Sequence, residues 1–386
     1  MGFKDVIKDI EGYKDVQQDI EVLRKYGSDF SSQKGVAGHI VSMLHPKSIR
    51  VRVSEIFDET ASAKTIRIVS DNSWLPPFQA GQYINLFVEI DGIRTSRPYS
   101  ISSSPARIGY YDITVRRNKD GFVSEYLLGH IRQGDIFESS GPSGNFIYNP
   151  LFHGDDLVFL AGGSGITPFM SMIRDVAEKG LQRNIHLVYG SLDQDDIIFH
   201  DELCTIANRH KNIRYTPVIS NPPQGYDGLS GFITADLMKD LLGDISKKTI
   251  YMCGPEAMYV FCLKELDNLG VEKRKIRTEV FGPPADITQD PGWPSEIQAD
   301  AEFTVKVHGG KTITARADEP LMISLERNGI VIPALCRSGE CSLCRTRLIK
   351  GNVFQPQGVK VRKSDRAFGY IHACMAYPLS DLEIMF

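Results

Sequence analysis

Residues 336–344 read CRSGECSLC, three thiols in nine positions of a chain that has seven cysteines in 386 residues. Cysteines this few and this unevenly spread make no disulfide framework. Crowded thiols in such a chain hold metal or do redox work. Cys374 follows after 29 intervening residues. Cys336-x4-Cys341-x2-Cys344 with a distant Cys374 is the spacing of a [2Fe–2S] cluster. Two irons bridged by two sulfides need four thiolates in tetrahedral array. A tight loop of small residues, here Ser338, Gly339 and Ser342, can wrap them and aim backbone N–H groups at sulfur. Structural zinc is the competing reading, but zinc sites pair two short hooks, whereas Cys374 stands alone.

The stretches PALCRSGECSLCRTRLIKGNV (333–353) and HACMAYPLSDLEI (372–384) resemble the cluster loop and last-cysteine segment of plant-type ferredoxin domains. The resemblance covers residues 301–386 and implies a β-grasp fold. Ser342 departs from it, standing where that family commonly has glycine. So does the charge: residues 301–386 hold twelve Lys and Arg against eight Asp and Glu. Arg337, Arg345, Arg347 and Lys350 lie beside the ligand cysteines. They are read either as a solvated face or as a docking surface for an acidic electron acceptor.

Upstream, FGPPADITQDPGWPSE (281–296) has four prolines between Pro283 and Pro294 and reads as a stiff linker over 282–300. Before it, apolar strands alternate with helical stretches: DLVFLAGGSGITPFMSMIRDVAEKG from Asp156, then NIHLVYGS, IRYTPVIS and KTIYMCGP. That alternation predicts a parallel α/β domain over 153–281. Before that come short β-branched runs (IRVRVSEIF, TIRIVS, YINLFVEI, YDITVRR, DIFESSGP) split by Pro, Gly and Asp. They predict a small antiparallel barrel over 46–152. Residues 1–45 read as a helical extension, with apolar positions at Phe3, Val6, Ile7, Ile10, Tyr13, Ile20 and Leu23 interrupted by Gly12.

Two motifs give these domains chemistry. RPYSISSSP (97–105), after a barrel strand, resembles the flavin-binding motif of the ferredoxin–NADP reductase superfamily. That resemblance implies Tyr99 on the isoalloxazine ring, Ser100 near its reactive edge and Arg97 on flavin phosphate, a role suited to a guanidinium fork. It implies a second phosphate element at Gly121, Val123 and Ser124, with Ser124 capping a helix. In LAGGSGITPFMSMIRD, a glycine turn follows a strand and opens a helix, the context a pyrophosphate site requires. Gly162, Gly163, Gly165, Thr167 and Pro168 match the superfamily's nicotinamide-nucleotide turn. In YMCGPEAMY, Cys253, Gly254 and Pro255 match its Cys-Gly-Pro turn, which implies Cys253 near the hydride-donating carbon. Phe281, in Glu-Val-Phe, matches the aromatic that covers the flavin. Relatives ending the module this way carry FAD; FMN stays as the second reading. Cys204 and Cys262 fall in helical stretches and read as packing.

Flavin barrel, nicotinamide domain and C-terminal ferredoxin, in that order, resemble the reductase components of multicomponent oxygenases. That implies an NAD(P)H oxidoreductase, with Tyr99, Ser100, Cys253 and Phe281 about the reacting atoms, passing single electrons to a partner redox protein. A Rieske-type oxygenase, a diiron monooxygenase, a hybrid-cluster protein and a corrinoid-protein activator all remain open as acceptors. A fused electron carrier or redox sensor with slow turnover is the alternative. The turn SLDQDD (191–196) follows the second parallel strand, where this superfamily discriminates cofactors. Leu192, Asp193, Asp195 and Asp196 offer no cation for a 2′-phosphate, so NADH is expected over NADPH. Those acids would meet a ribose hydroxyl or open the next helix. Lys211 and Arg214 are the nearest cations that folding could bring in.

Composition excludes other classes. Net charge is −4 with 24% charged residues, against a dedicated nucleic-acid binder. No apolar run is long enough for a membrane span and the N-terminus lacks an apolar leader core, so a cytoplasmic protein is expected. The purified protein is expected to contain iron, sulfide and flavin. Cys341→Ser should abolish the cluster's electron resonance signal while the flavin still reduces with NAD(P)H. Zinc without iron in the wild type would contradict this reading.

Overall fold

The structure is a computed structural model that describes residues 12–26, 38, 40–44, 46, 48–71, 74–119 and 121–386. It divides into two units, Met1–Lys47 and Ser48–Phe386. In the first, Gly12 takes a left-handed φ of +85° ahead of the helix Tyr13–Tyr26. The helical positions expected at Phe3, Val6, Ile7 and Ile10 lie outside the described residues. No helix among the described residues is long and apolar enough to cross a membrane.

The second unit holds three larger sheets. The first contains β1 (Ile49–Thr60), β2 (Ala63–Ser70), β3 (Tyr83–Ile90), β4 (Ile93–Ser100), β5 (Tyr110–Arg116) and β6 (Ile136–Ser139), in the order β4-β3-β6-β1-β2-β5. All its pairings are antiparallel. A bridge from Ile101 to Ile113 joins the two edges and closes the barrel. Alternation sets the faces: Val51 and Val53 are buried in the core while Arg50 and Arg52 face out. The β3–β4 hairpin turns on Asp91-Gly92, both at positive φ, as a two-residue hairpin requires.

The second sheet contains β7 (Asp156–Gly162), β8 (Asn184–Ser191), β9 (Ile213–Ile219), β10 (Thr249–Cys253) and β11 (Ile276–Glu279), in the order β11-β10-β7-β8-β9. Every pair is parallel. Helices cover both faces, so β10 is buried at every position and reads as a continuous apolar run. Strand order reverses between β7 and β10, and ligands bind at the carboxyl ends of such a switch point. There Gly162 and Gly165 leave room for the neighbouring turn. A Cβ on Gly165 would lie 2.1 Å from the Cys253 carbonyl oxygen, and one on Gly162 would lie 2.8 Å from Pro255 Cδ.

The third sheet contains β12 (Glu302–Val307), β13 (Thr312–Arg316), β14 (Arg345–Lys350), β16 (Tyr370–His372) and β18 (Leu382–Met385), in the order β13-β12-β18-β14-β16. A small ribbon pairs β15 (Val353–Phe354) with β17 (Tyr377–Pro378). The central pair β12–β18 is parallel and the helix Leu321–Arg327 packs on the sheet, the β-grasp arrangement expected. The proline-rich stretch before it is anchored: Ile287 is buried, and the Trp293 ring meets Phe354 edge-on at 5.4 Å.

Glu279, the last residue of β11, ends in a 540 Å³ cavity shared with Tyr83, Phe281, Cys336, Glu340 and Cys341. Its Oε2 is enclosed without a partner. Burial, then the Glu340 and Cys336 charges, push its carboxyl up to about 8. The folded carboxyl keeps its proton to about pH 8, whereas the unfolded chain gives it up near 4.5. Folding therefore takes up a proton in between, and stability falls as pH rises across that window. Glu279→Gln is expected to remove that fall, on the order of 1–3 kcal/mol, in denaturation curves at pH 5 and 8. An unchanged pH slope would contradict the assignment.

Candidate functional site

The four cysteines meet at the end of the third sheet. Cys344 Sγ lies 3.3 Å from Cys374 Sγ, and Cys336 pairs with Cys341. Two thiol pairs are what two irons with two ligands each require. The N–H groups of Ser338 and Cys341 point at Cys336 Sγ, at 3.5 and 3.3 Å. The hydrogen bond from the Cys341 thiol, then those backbone amides, pull the Cys336 thiol down against its burial. This donor set fits a thiolate-ligated cluster. The loop holds its shape with Arg337, Gly339 and Ser342 all at positive φ. Ser342 adopts +61°, a conformation natural to the glycine it replaces and costing an L-residue about 1 kcal/mol. His372 fixes the loop by donating from Nδ1 to the Gly339 carbonyl at 2.9 Å, which assigns its proton to Nδ1.

A 610 Å³ cavity opens beside the cluster. Arg97, Tyr99, Ser100, Gly121, Val123, Ser124, Thr167 and Phe281 all line it. Gly162, Gly163, Gly165, Pro168, Cys253, Gly254 and Pro255 do not. Gly163 lies just behind the wall, since a Cβ there would come within 2.5 Å of the Arg116 guanidinium. Four arginines (Arg97, Arg116, Arg117, Arg337) and no carboxylate line the cavity, so it suits a phosphate-bearing ligand. Ser100 Oγ is buried without a partner, an orphan that a bound flavin can satisfy. Burial, then the charge of Arg337, lower the Arg97 guanidinium to about 10.

Several expectations change in detail. The helix Phe122–Gly129 is capped by Gly121, and Ser124 sits in its first turn, where its hydroxyl accepts from Asn118 N–H at 3.2 Å. Cys253 is wholly buried and its thiol is pushed up by burial; it lines neither this cavity nor that of Glu279. Phe281, in contrast, borders both. The acids of the SLDQDD turn form a short 3-10 turn, Gln194–Asp196, and not the start of the α-helix that follows at His200. Asp196 is held by Arg116 and accepts from Thr60 and Ser62 hydroxyls, each at 2.6 Å, so it belongs to the contact with the barrel. Arg337 is not surface: it is 5% exposed. Arg345 is paired with Asp365 at 3.1 Å.

Other wall residues carried no signal in the sequence that they would face this cavity. Gly282, Pro283, Pro284 and Ala285 of the linker line the cavity, as do Pro320, Met322, Ile323, Arg337 and Cys374 from the cluster domain. A loop composition or a cluster motif does not say which cavity its back faces.

Three family profiles match the chain: an oxidoreductase FAD-binding domain over residues 50–148, an oxidoreductase NAD-binding domain over 159–264 and a 2Fe-2S iron-sulfur cluster binding domain over 305–379. The glycine betaine monooxygenase reductase subunit of Chromohalobacter salexigens is 30% identical, over 87% of this chain and 95% of that one. The NADH oxidoreductase HCR of Escherichia coli is 30% identical, over 87% and 97%. Among solved structures, a phthalate dioxygenase reductase shares the fold with a TM-score of 0.64 at 23% identity, over 88% of this chain and 97% of that one. FAD, a [2Fe–2S] cluster and a nicotinamide nucleotide are thus the cofactors of this NAD(P)H oxidoreductase. With an FAD-binding barrel, a nicotinamide domain and a cluster domain in one chain, it belongs to the ferredoxin–NADP reductase superfamily, in the branch that includes the reductase components of multicomponent oxygenases.

Proposed function

We propose that this chain oxidises NADH and delivers single electrons from its cluster to a separate redox protein in the cytoplasm, an oxygenase component being the acceptor class. The observation that carries the reading is Cys374: one cluster ligand forms part of the wall of the flavin cavity. FAD held there would supply the conversion of a two-electron hydride into single electrons. The chain's own residues align and shield. Arg97 and the helix N-terminus at Gly121 hold flavin phosphate. Tyr99 would support the ring and Ser100 Oγ would hydrogen-bond its edge. The Gly162–Gly165 turn and the N-terminus of the helix Ile166–Lys179 receive the nucleotide pyrophosphate, and the Cys253-Gly254-Pro255 turn borders the nicotinamide. Phe281, 37% exposed, covers the ring and yields to the nicotinamide.

The preference for NADH rests on the turn after β8. Leu192 is exposed, Asp193 accepts from Asn221 Nδ2 at 2.9 Å, and no Lys or Arg occurs from Ser191 to Asp196. Arg214 pairs in register with His186, near the amino end of the strand and away from that turn. Lys211 precedes β9 at that same end. Arg116, which folding brings to this turn, is taken up by Asp196, so a 2′-phosphate beside Asp193 and Asp195 is disfavoured. The ratio of kcat/KM with one artificial acceptor is expected to favour NADH by about tenfold or more, one missing charge-assisted pair being worth about that. A ratio of one or below would contradict it.

Electrons leave on the far side of the cluster. Cys336, Cys344 and Cys374 are buried, whereas Cys341 is partly exposed and Leu343 beside it is 49% exposed. With Arg337 buried and Arg345 paired, the cations left on the neighbouring strand β14 are Arg347 and Lys350, both exposed. They suit an acidic acceptor. Arg347→Glu with Lys350→Glu should slow electron delivery to the redox protein that co-purifies with the chain and leave dye reduction unchanged. Equal slowing of both would remove the docking role.

A further inference from the structure

The flavin cavity is not the barrel's alone. Arg337 reaches it from the cluster loop, next to the ligand Cys336. Its Nη2 donates to Glu326, from the helix Leu321–Arg327, and to Thr95 Oγ1 on β4 at 3.3 Å. Thr95 Oγ1 also accepts from Arg97 Nη1 at 2.9 Å and donates to Glu326 Oε2 at 2.8 Å. Thr95, Glu326 and Arg337 are each at most 5% exposed. One carboxylate thus faces two guanidiniums, Arg337 directly and Arg97 through Thr95, while Arg97 Nη1 also donates to the Ser96 carbonyl at 2.8 Å, which leaves one positive charge over. The Arg337 Nε–H is buried with no partner. An enclosed cationic donor left unpaired is costly unless an anion meets it.

We propose that Arg337 is a flavin ligand supplied by the cluster domain: its guanidinium, which lines the cavity, binds FAD phosphate alongside Arg97. Filling the flavin site then also clamps the cluster domain onto the barrel. By linkage, whatever factor the clamp adds to flavin affinity, flavin adds to docking of the cluster domain. Cofactor loading and assembly of the electron path become one event. This rests on the reading of the cavity as the flavin site, and the two fail differently. If the wild-type chain takes up no flavin, that reading fails first.

The test uses the full chain, with flavin removed and FAD titrated back by fluorescence quenching. Arg337→Lys retains one cation for Glu326 but has no second donor on a fixed fork. Arg337→Gln removes the charge. Both are expected to raise the FAD dissociation constant about tenfold or more, the value of a charge-assisted bond. The cluster's electron resonance signal should be retained. If Arg337→Gln fails to fold, Arg337→Lys decides. In the wild type, FAD should slow hydrogen exchange across residues 321–345, and in Arg337→Lys it should not. A dissociation constant within twofold of wild type in a folded, cluster-bearing variant overturns the proposal. If the cluster's midpoint potential shifts at the same time, the guanidinium serves the cluster instead.

Discussion

The buried pair Glu326–Arg337, with Thr95 between them and Arg97, ties the cysteine loop to the barrel. It joins the cluster loop to β4, and β4 also carries Arg97, Tyr99 and Ser100. Thus one strand both lines the cavity and anchors the cysteine loop. Such a pair adds little net stability compared with apolar packing, but removing one partner costs about 3–5 kcal/mol because the other is left charged and buried. Its value here is geometric. Asn85 Nδ2, donating to the Ala334 carbonyl at 2.9 Å, adds a second tie one strand away, and Arg337 accepts a left-handed φ of +54° to stay in place.

The nicotinamide domain is joined to the same barrel by polar contacts of the same kind. Asp196 gathers Arg116, Thr60 and Ser62, while Ser171 Oγ donates to the Ser103 carbonyl at 2.7 Å and Arg174 to that of Ser102 at 2.8 Å. These contacts bring the switch point of the parallel sheet to the cavity edge, where Ser164 and Thr167 enter its wall. Ser164 and Thr167 of the glycine turn and Cys374 thus line one cavity, an arrangement that suits hydride and electron transfer.

Much of this was legible in the sequence because it is written in local patterns. Alternation at Arg50–Val53, the continuous apolar run of β10 and the cysteine spacing each report a constraint acting within a few residues. What was not legible depends on contacts between distant segments. Arg337 looks like a surface cation beside a cluster and becomes a buried one only because Glu326 and Thr95 come to it. Asp196 looks like part of an acidic helix start, yet it is spent on the barrel. Ser124 looks like a cap, but the turn places Gly121 there because a Cβ would collide with Ser124 Oγ at 2.3 Å.

The central claim is that flavin and cluster sit at a fixed distance within one folded unit. Stopped-flow mixing with NADH, following cluster reduction after flavin reduction as solvent viscosity and salt are varied, tests it directly. A flavin-to-cluster rate independent of both is the expected result. A rate that falls in proportion to viscosity would show that the cluster domain must move to collect each electron, and would contradict the account.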